Sequence, residues 1–80
     1  MADRQMLTCW IRHRGYVREK WSAWAAPKEG AELRRLLVDA AIRCGGRLQE
    51  IAEYDLEVET EQGRRFRFAT SYDEVLEVRR

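Results

Sequence analysis

Apolar and charged residues alternate with period 2 from Leu56 to Phe68, on both sides of a central Gln62-Gly63. This pattern is typical of an antiparallel hairpin with one face in water. If Gly63 takes the left-handed conformation, the loop is Glu61-Gln62-Gly63 and the register is fixed. Acid then meets base on the wet face, and aliphatic meets aromatic on the core face. The predicted pairs are Thr60 with Arg64, Glu59 with Arg65, Val58 with Phe66, Glu57 with Arg67 and Leu56 with Phe68.

The N-terminal part of the chain predicts another hairpin. Residues 6–11 alternate as a strand, whereas residues 16–25 fit either a helix or a strand. We favour the strand because His13-Arg14-Gly15 offers the same glycine-ended loop as the later hairpin. In that register Trp10 and Arg18 form a cation–π pair on the outer face. The other predicted pairs are Arg12 with Tyr16, Ile11 with Val17 and Leu7 with Trp21.

A helix is predicted from Pro27 to Cys44. Proline suits the first turn of a helix, and Gly45-Gly46 is a common helix end. Between these signals, apolar residues recur at helical spacing and form one buried stripe. The stripe consists of Leu33, Leu36, Leu37, Ala40, Ala41 and Cys44.

The remaining segments predict one more strand and one more helix. Even-numbered apolar positions from Leu48 to Val58 suggest a long strand, with a bulge or bend near residues 50–53. Ser71 and Glu74 are spaced as a capping box. A short C-terminal helix should therefore contain Val75, Leu76 and Val78.

Together these elements predict one α+β domain over residues 1–80, with the order ββαββα. The sheet has four mainly antiparallel strands, the main helix packs on one face, and the short C-terminal helix lies beside it. The predicted core consists of Leu7, Cys9, Ile11, Val17, Trp21, Leu33, Leu36, Leu37, Ala40, Leu56, Val58, Phe66, Phe68 and Leu76.

Charge is abundant but balanced, with 15 basic and 14 acidic residues. A net charge of +1 predicts no strong attraction to bulk nucleic acid or to anionic lipid. The distribution is polarised, because residues 1–20 are mainly basic and residues 50–61 contain acids but no bases. Such polarity suits a partner with complementary patches. The preference for arginine over lysine fits a bacterial or phage genome rich in GC.

Neither a membrane-spanning apolar run nor a signal peptide is visible in the sequence, so we expect a cytoplasmic protein with no membrane partner. Cys9 and Cys44 lack the spacing of a zinc site and are expected to be free thiols. The alternative is a disulfide between strand and helix or between two chains, which a reducing cytoplasm disfavours. His13 is the only histidine and lies in a predicted turn among arginines. We interpret it as a polar turn residue, the alternative being a nuclease-like general base with Arg12 or Arg14 stabilising phosphate charge. We predict no catalytic residue, no metal and no cofactor.

The acidic residues of the second hairpin could hold a divalent metal, but a solvated, arginine-paired sheet face is the simpler interpretation. Strand alternation would place four carboxylates on that face, those of Glu53, Asp55, Glu57 and Glu59.

The strongest functional signal is a group of aromatic and basic residues in the first hairpin. Tryptophan, tyrosine and arginine are the residues enriched at binding hot spots. In the strand interpretation Trp24 falls on the same face as Trp10. The alternative is structural, with Trp21 and Trp24 in the core and Trp10 under the last helix. The predicted partner-binding residues are Trp10, Arg12, Arg14, Tyr16, Arg18 and Lys20.

We therefore expect a small non-enzymatic bacterial or phage protein that binds a macromolecule, most simply a protein, as a regulator or inhibitor. The alternative is a nucleic-acid-binding module in which the same hairpin stacks single-stranded bases. A homodimer would follow if the first strand is an open edge of the sheet.

Overall fold

Five strands and one α-helix make up most of the protein in a computed structural model that describes residues 3–79. The sheet has the order β2-β1-β3-β4-β5, and all neighbouring strands are antiparallel. The α+β class is confirmed, but the sheet has one strand more than predicted. The elements are β1 (Gln5–His13), β2 (Tyr16–Ala25), α1 (Gly30–Arg43), a 3₁₀ helix (Leu48–Glu53), β3 (Tyr54–Glu59), β4 (Arg65–Ala69) and β5 (Glu74–Val78).

The second hairpin has the predicted register. The two apolar pairs alternate along the strands with the two acid–base pairs, in the order Leu56–Phe68, Glu57–Arg67, Val58–Phe66 and Glu59–Arg65. Gly63 is left-handed, with φ of 84°, and its N–H donates to the carbonyl of Thr60 at 3.0 Å. Glycine adopts this conformation without a Cβ penalty, so the three-residue loop fixes the pairing of β3 with β4.

In the first hairpin, β2 is a strand as predicted, but its register differs. The turn contains only two residues, Arg14 with φ of 52° and Gly15 with φ of 85°. Two successive positive φ values are typical of a type I′ turn, which matches the twist of the flanking strands. The hairpin therefore begins with the pair His13–Tyr16 rather than Arg12–Tyr16.

A β-bulge then shifts the pairing, because Arg12 is opposite Val17 while Ile11 is opposite Glu19. Arg18 is the extra residue. Leu7 consequently faces Ala23 and not Trp21, and Trp10 faces Lys20. The predicted Trp10–Arg18 pair is wrong for this reason. Val17 is also not a core residue, since it lies beside Arg12 and is 51% exposed.

Helix α1 begins three residues later than predicted, because Pro27 lies in the preceding turn. Its end is as expected from Gly45-Gly46. Gly45 N–H donates to the Ile42 carbonyl at 2.9 Å, and Gly46 N–H donates to the Ala41 carbonyl at 2.8 Å. This pair of bonds is the Schellman motif, in which left-handed Gly45 satisfies the last carbonyls of the helix.

Two segments differ in type from the prediction. Residues 48–53 form a 3₁₀ helix, so β3 begins only at Tyr54 and the long strand from Leu48 is wrong. Residues 74–78 form β5 instead of a C-terminal helix. β5 pairs along the whole of β4, which places Val75 opposite Phe68 and Leu76 opposite Arg67. Pairing with β4 supplies backbone hydrogen bonds and packing that an isolated five-residue helix cannot provide.

The core lies between α1 and one face of the sheet. Ten of the predicted core residues are buried, and Trp21 and Leu36 pack at its margin. Leu76, like Val17, is exposed because its strand directs it to the other face. The buried ten are Leu7, Cys9, Ile11, Leu33, Leu37, Ala40, Leu56, Val58, Phe66 and Phe68.

Candidate functional site

The sheet face opposite α1 is the main candidate site. Both helices pack on the core side, α1 through Leu33 and Leu37 and the 3₁₀ helix through Ile51. Within residues 3–79, no element covers the other face, which we call the open face. By strand alternation and register it carries Met6, Thr8, Trp10, Arg12, Lys20, Ser22, Trp24, Asp55, Glu57, Glu59, Arg65, Arg67, Leu76 and Val78.

Glu57 lies at the centre of the open face and is only 4% exposed. Its carboxylate accepts hydrogen bonds from Arg12 and from Arg65, each at 3.0 Å. The Arg67 guanidinium lies 3.7 Å away. The interpretation of this face as a solvated ladder is therefore wrong at its centre, where one buried carboxylate is shared by three arginines. Shared, charge-assisted bonds of this kind hold side chains in fixed orientations.

Trp10 is held between two cations. The Lys20 ammonium lies 5.6 Å from the ring centroid, and the Arg65 guanidinium lies 5.2 Å from it. Arg65 is itself fixed by Glu59 at 3.1 Å, and this hydrogen bond raises the pKa of the guanidinium. These two cation–π contacts favour this orientation of the indole.

An exposed apolar pair lies next to this centre. Met6 on β1 is directly opposite Trp24 on β2, and the two side chains are 46% and 62% exposed. Across the sheet, Leu76 on β5 is exposed as well. Because the side chains of Met6 and Trp24 are neighbours, they form a contiguous apolar patch that another molecule could cover.

The structure separates the six predicted partner-binding residues. Trp10, Arg12 and Lys20 share the open face, while Arg14 and Tyr16 lie at the tip of the first hairpin. Arg18 is exposed at the bulge. Arg12 is engaged by buried Glu57, which leaves Trp10 and Lys20 as the members that combine an aromatic surface with an exposed cation.

The sequence pattern also predicted one further residue of the open face, Trp24, but it missed two exposed apolar residues there. The placement of Trp24 on the face of Trp10 is confirmed, because the parity of residue numbers carries across the hairpin. The exposure of Met6 and Leu76 was missed. For Leu76 the signal was hidden by the capping-box pattern, which indicated a helix.

A separate polar cluster fixes the hairpin tip to the 3₁₀ helix. The His13 ring stacks on Tyr54 with centroids 4.2 Å apart, and its Nε2 lies 2.8 Å from the Glu53 carboxylate. Arg14 also contacts Glu53 at 3.2 Å. These bonds, first that with His13, lower the pKa of Glu53. The strand pattern predicted that Glu53 shares a face with Glu57, and this is wrong because Glu53 belongs to the 3₁₀ helix. His13 stabilises the junction between the hairpin tip and that helix.

The remaining chemistry within residues 3–79 is sparse. No group of three or more histidine, cysteine or acidic side chains is arranged to hold a metal ion. Cys9 and Cys44 are free thiols. A cleft of about 250 Å³ lies beside the start of α1, and Lys28 and Arg64 share its lining with Asp3 and Glu29. Its charges are mixed, and Arg64 is already bound to Glu77 at 2.9 Å.

In the described part of the chain, no helix has both the length and the apolar content needed to cross a membrane. No protein-family model, curated protein or solved structure matches this chain.

Proposed function

We propose that this chain is a non-enzymatic binding protein whose open face docks onto another protein. The observation that carries the proposal is the exposed Met6–Trp24 pair beside Trp10, on a sheet face that no helix in residues 3–79 covers. Tryptophan and methionine are enriched where proteins meet, and a tryptophan anchor often supplies much of the binding free energy.

Preorganisation of the face supports this proposal. Trp10 contacts the cations of Lys20 and Arg65, and Arg12 and Arg65 are held by ion pairs with the Glu57 carboxylate. Side chains that are already ordered lose less conformational entropy when a partner arrives. A small protein with a rigid face of this kind would act by occupying a surface of its partner, which is the action of a regulator or inhibitor.

The charges of the open face favour a protein over a nucleic acid. Arg12, Arg65 and Arg67 all lie within 4.0 Å of the Glu57 carboxylate. Arginines neutralised in this way release few counterions from a phosphate backbone, so they add little affinity for nucleic acid.

The free thiols Cys9 and Cys44 suit a reducing compartment, which supports a cytoplasmic site of action.

The proposal is tested by affinity capture with the full chain, followed by titration of the purified partner. We expect Trp24→Ala to weaken binding by about tenfold or more, as for a hot-spot residue. Leu48→Ala is the matched control, because Leu48 is also exposed but lies on the 3₁₀ helix. Its affinity should equal that of the wild type, and both variants should melt as the wild type does.

A partner that binds Trp24→Ala, Met6→Ala and the wild type equally would exclude the open face as the docking surface. A gel-shift titration at two salt concentrations tests the nucleic-acid alternative. Micromolar binding with a steep loss of affinity at the higher salt concentration would replace the protein proposal.

A further inference from the structure

β2 is one of the two edge strands of the sheet and is ten residues long. An edge strand presents backbone N–H and C=O groups along its outer side, and extended segments of other proteins bind by adding a strand there. The condition attached to the homodimer, an open edge at the first strand, is not met, since β1 lies between β2 and β3. The homodimer loses that basis, and the edge next to β1 is β2.

The β2 edge carries unbalanced positive charge. Arg18 and Lys20 are exposed, and within residues 3–79 neither lies within 4.0 Å of a carboxylate. The strand's acid, Glu19, is engaged by Arg43 at the end of α1. This contrasts with the arginines at the centre of the open face, which are all paired with acids.

Apolar surface adjoins this charge on the same face. Lys20 and Trp24 lie four residues apart on β2, so both side chains point to the open face. A strand added beside β2 would place one side chain opposite Lys20 and another, four residues along, opposite Trp24. The first would best be an acid and the second a large apolar residue.

We propose that β2 binds an extended acidic segment of the partner protein as a sixth strand, with an acid on Lys20 and an apolar side chain on Trp24. This inference rests on the proposed function and specifies the chemistry of the partner. Backbone pairing supplies affinity, while Lys20 and Trp24 select the segment. The bulge at Arg18 confines regular pairing to residues 19–25.

Charge also distinguishes this occupant from a second copy of the chain. Pairing of two β2 strands would bring the basic residues of both copies to one seam, which is unfavourable. The other edge, β5, has exposed Glu74 and could meet β2 of another copy head-to-tail. Light scattering over a concentration series separates the cases. Assembly that is abolished by Glu74→Lys would overturn the proposal in favour of a second copy.

The binding test uses a fluorescent ten-residue peptide in which a glutamate and a valine are four positions apart, so that both side chains point to the same face of the added strand, with threonine elsewhere, and it is read by anisotropy. We expect Lys20→Glu to weaken its binding by about tenfold or more. Lys28→Glu is the matched control, because Lys28 is the other lysine, is exposed, and lies outside the sheet. Both variants change the net charge equally, so general attraction cannot explain a difference between them. We expect less than about a twofold change for Lys28→Glu.

Two altered peptides test the mode of binding. A peptide with lysine in place of glutamate should bind the Lys20→Glu variant more tightly than it binds the wild-type protein. A peptide with N-methylated backbone amides should not bind, because it cannot pair as a strand. In amide NMR spectra, shifts should concentrate in residues 19–25. Equal loss of binding in Lys20→Glu and Lys28→Glu, or shifts centred on β5, would overturn the proposal.

The captured partner separates this inference from the proposed function. If its affinity falls with Trp24→Ala but not with Lys20→Glu, the open face binds the partner and the acidic sixth strand is wrong. If neither Trp24→Ala nor Met6→Ala has an effect, the proposed function fails as well. Loss of affinity with both Trp24→Ala and Lys20→Glu supports both.

Discussion

Arg12 on β1 donates a hydrogen bond of 3.0 Å to the carboxylate of Glu57 on β3, although that carboxylate is almost completely buried. We predict that Glu57→Ala lowers the free energy of unfolding by about 2 kcal/mol. The substitution leaves three arginines close together without their shared counter-charge. Because the arginines are partly exposed, the loss should be smaller than for a fully buried pair. Urea denaturation monitored by circular dichroism measures the difference.

The matched control is Glu61→Ala in the exposed loop of the second hairpin. Only the backbone N–H of Glu61 makes a described hydrogen bond, to Gln5, and the substitution keeps this group. Its stability should stay within about 0.5 kcal/mol of the wild type. Equal stabilities of the two variants would show that the Glu57 cluster adds nothing to folding.

A second prediction concerns the space at Gly46. A Cβ there would lie 2.6 Å from the Tyr54 hydroxyl oxygen and 2.9 Å from the Ala41 carbonyl oxygen. We therefore expect Gly46→Ala to lower the melting temperature and to cost about 2 kcal/mol, as overpacking commonly does. Gly30→Ala is the control, because the nearest atom to its Cβ is 3.8 Å away. A loss of stability for Gly30→Ala as large as that for Gly46→Ala would contradict this account.

The second hairpin could be predicted because two independent signals agreed. The alternation from Leu56 to Phe68 determined the faces, and Gly63 determined the loop, so only one register satisfied both. The first hairpin had alternation too, but its turn uses Arg14 at positive φ. Arginine seldom adopts that conformation, and neither the turn nor the bulge after it leaves a signal in the hydrophobic pattern.

The C-terminal helix and the solvated ladder failed for a different reason, because both were inferred from local pattern alone. A capping-box spacing indicates how a helix would begin, but pairing with β4 decided the state of residues 74–78. Likewise, alternation located Glu57 on the correct face but could not show its burial. That burial depends on Arg12 from β1 and Arg65 from β4, which meet only in the folded sheet.

The sequence predicted the aromatic and basic character of the candidate site but not which residues lie together in it. The aromatic and basic character of the first hairpin follows from the sequence, and Trp10 and Trp24 do share the open face. Which cations lie beside Trp10 depends on the register, so Lys20 and Arg65 take the place predicted for Arg18.

A third prediction concerns how the Arg64–Glu77 ion pair changes the stability of the protein with pH. Arg64 donates to Glu77 at 2.9 and 3.0 Å, and these hydrogen bonds lower the pKa of Glu77. A lowered folded-state pKa stabilises the fold above the unfolded value of about 4.3, and this contribution is lost as pH falls through the folded pKa. Glu77→Gln should therefore be less stable than the wild type at pH 7, and the difference should shrink below pH 4.

Glu74→Gln on the same strand is the control for this pH series, since Glu74 is exposed and makes no ion pair within residues 3–79. Its stability at pH 7 should be close to that of the wild type, because the substitution removes no described ion pair. A gap between Glu77→Gln and the wild type that grows in acid would contradict the sign derived for Glu77.

The last prediction concerns the reactivity of Cys9, whose pKa is raised to about 11 by burial in the core. At pH 8 only about one thiol in a thousand is then the reactive thiolate. In the variant Cys44→Ser, which leaves Cys9 as the single thiol, iodoacetamide should label the native protein very slowly. The same variant unfolded in urea should be labelled completely, and mass spectrometry counts the adducts.

The reciprocal variant Cys9→Ser should be labelled faster in the native state, because Cys44 is only half-buried. Rapid labelling of native Cys44→Ser would show that the sheet opens around β1, and would contradict a closed core between α1 and the sheet.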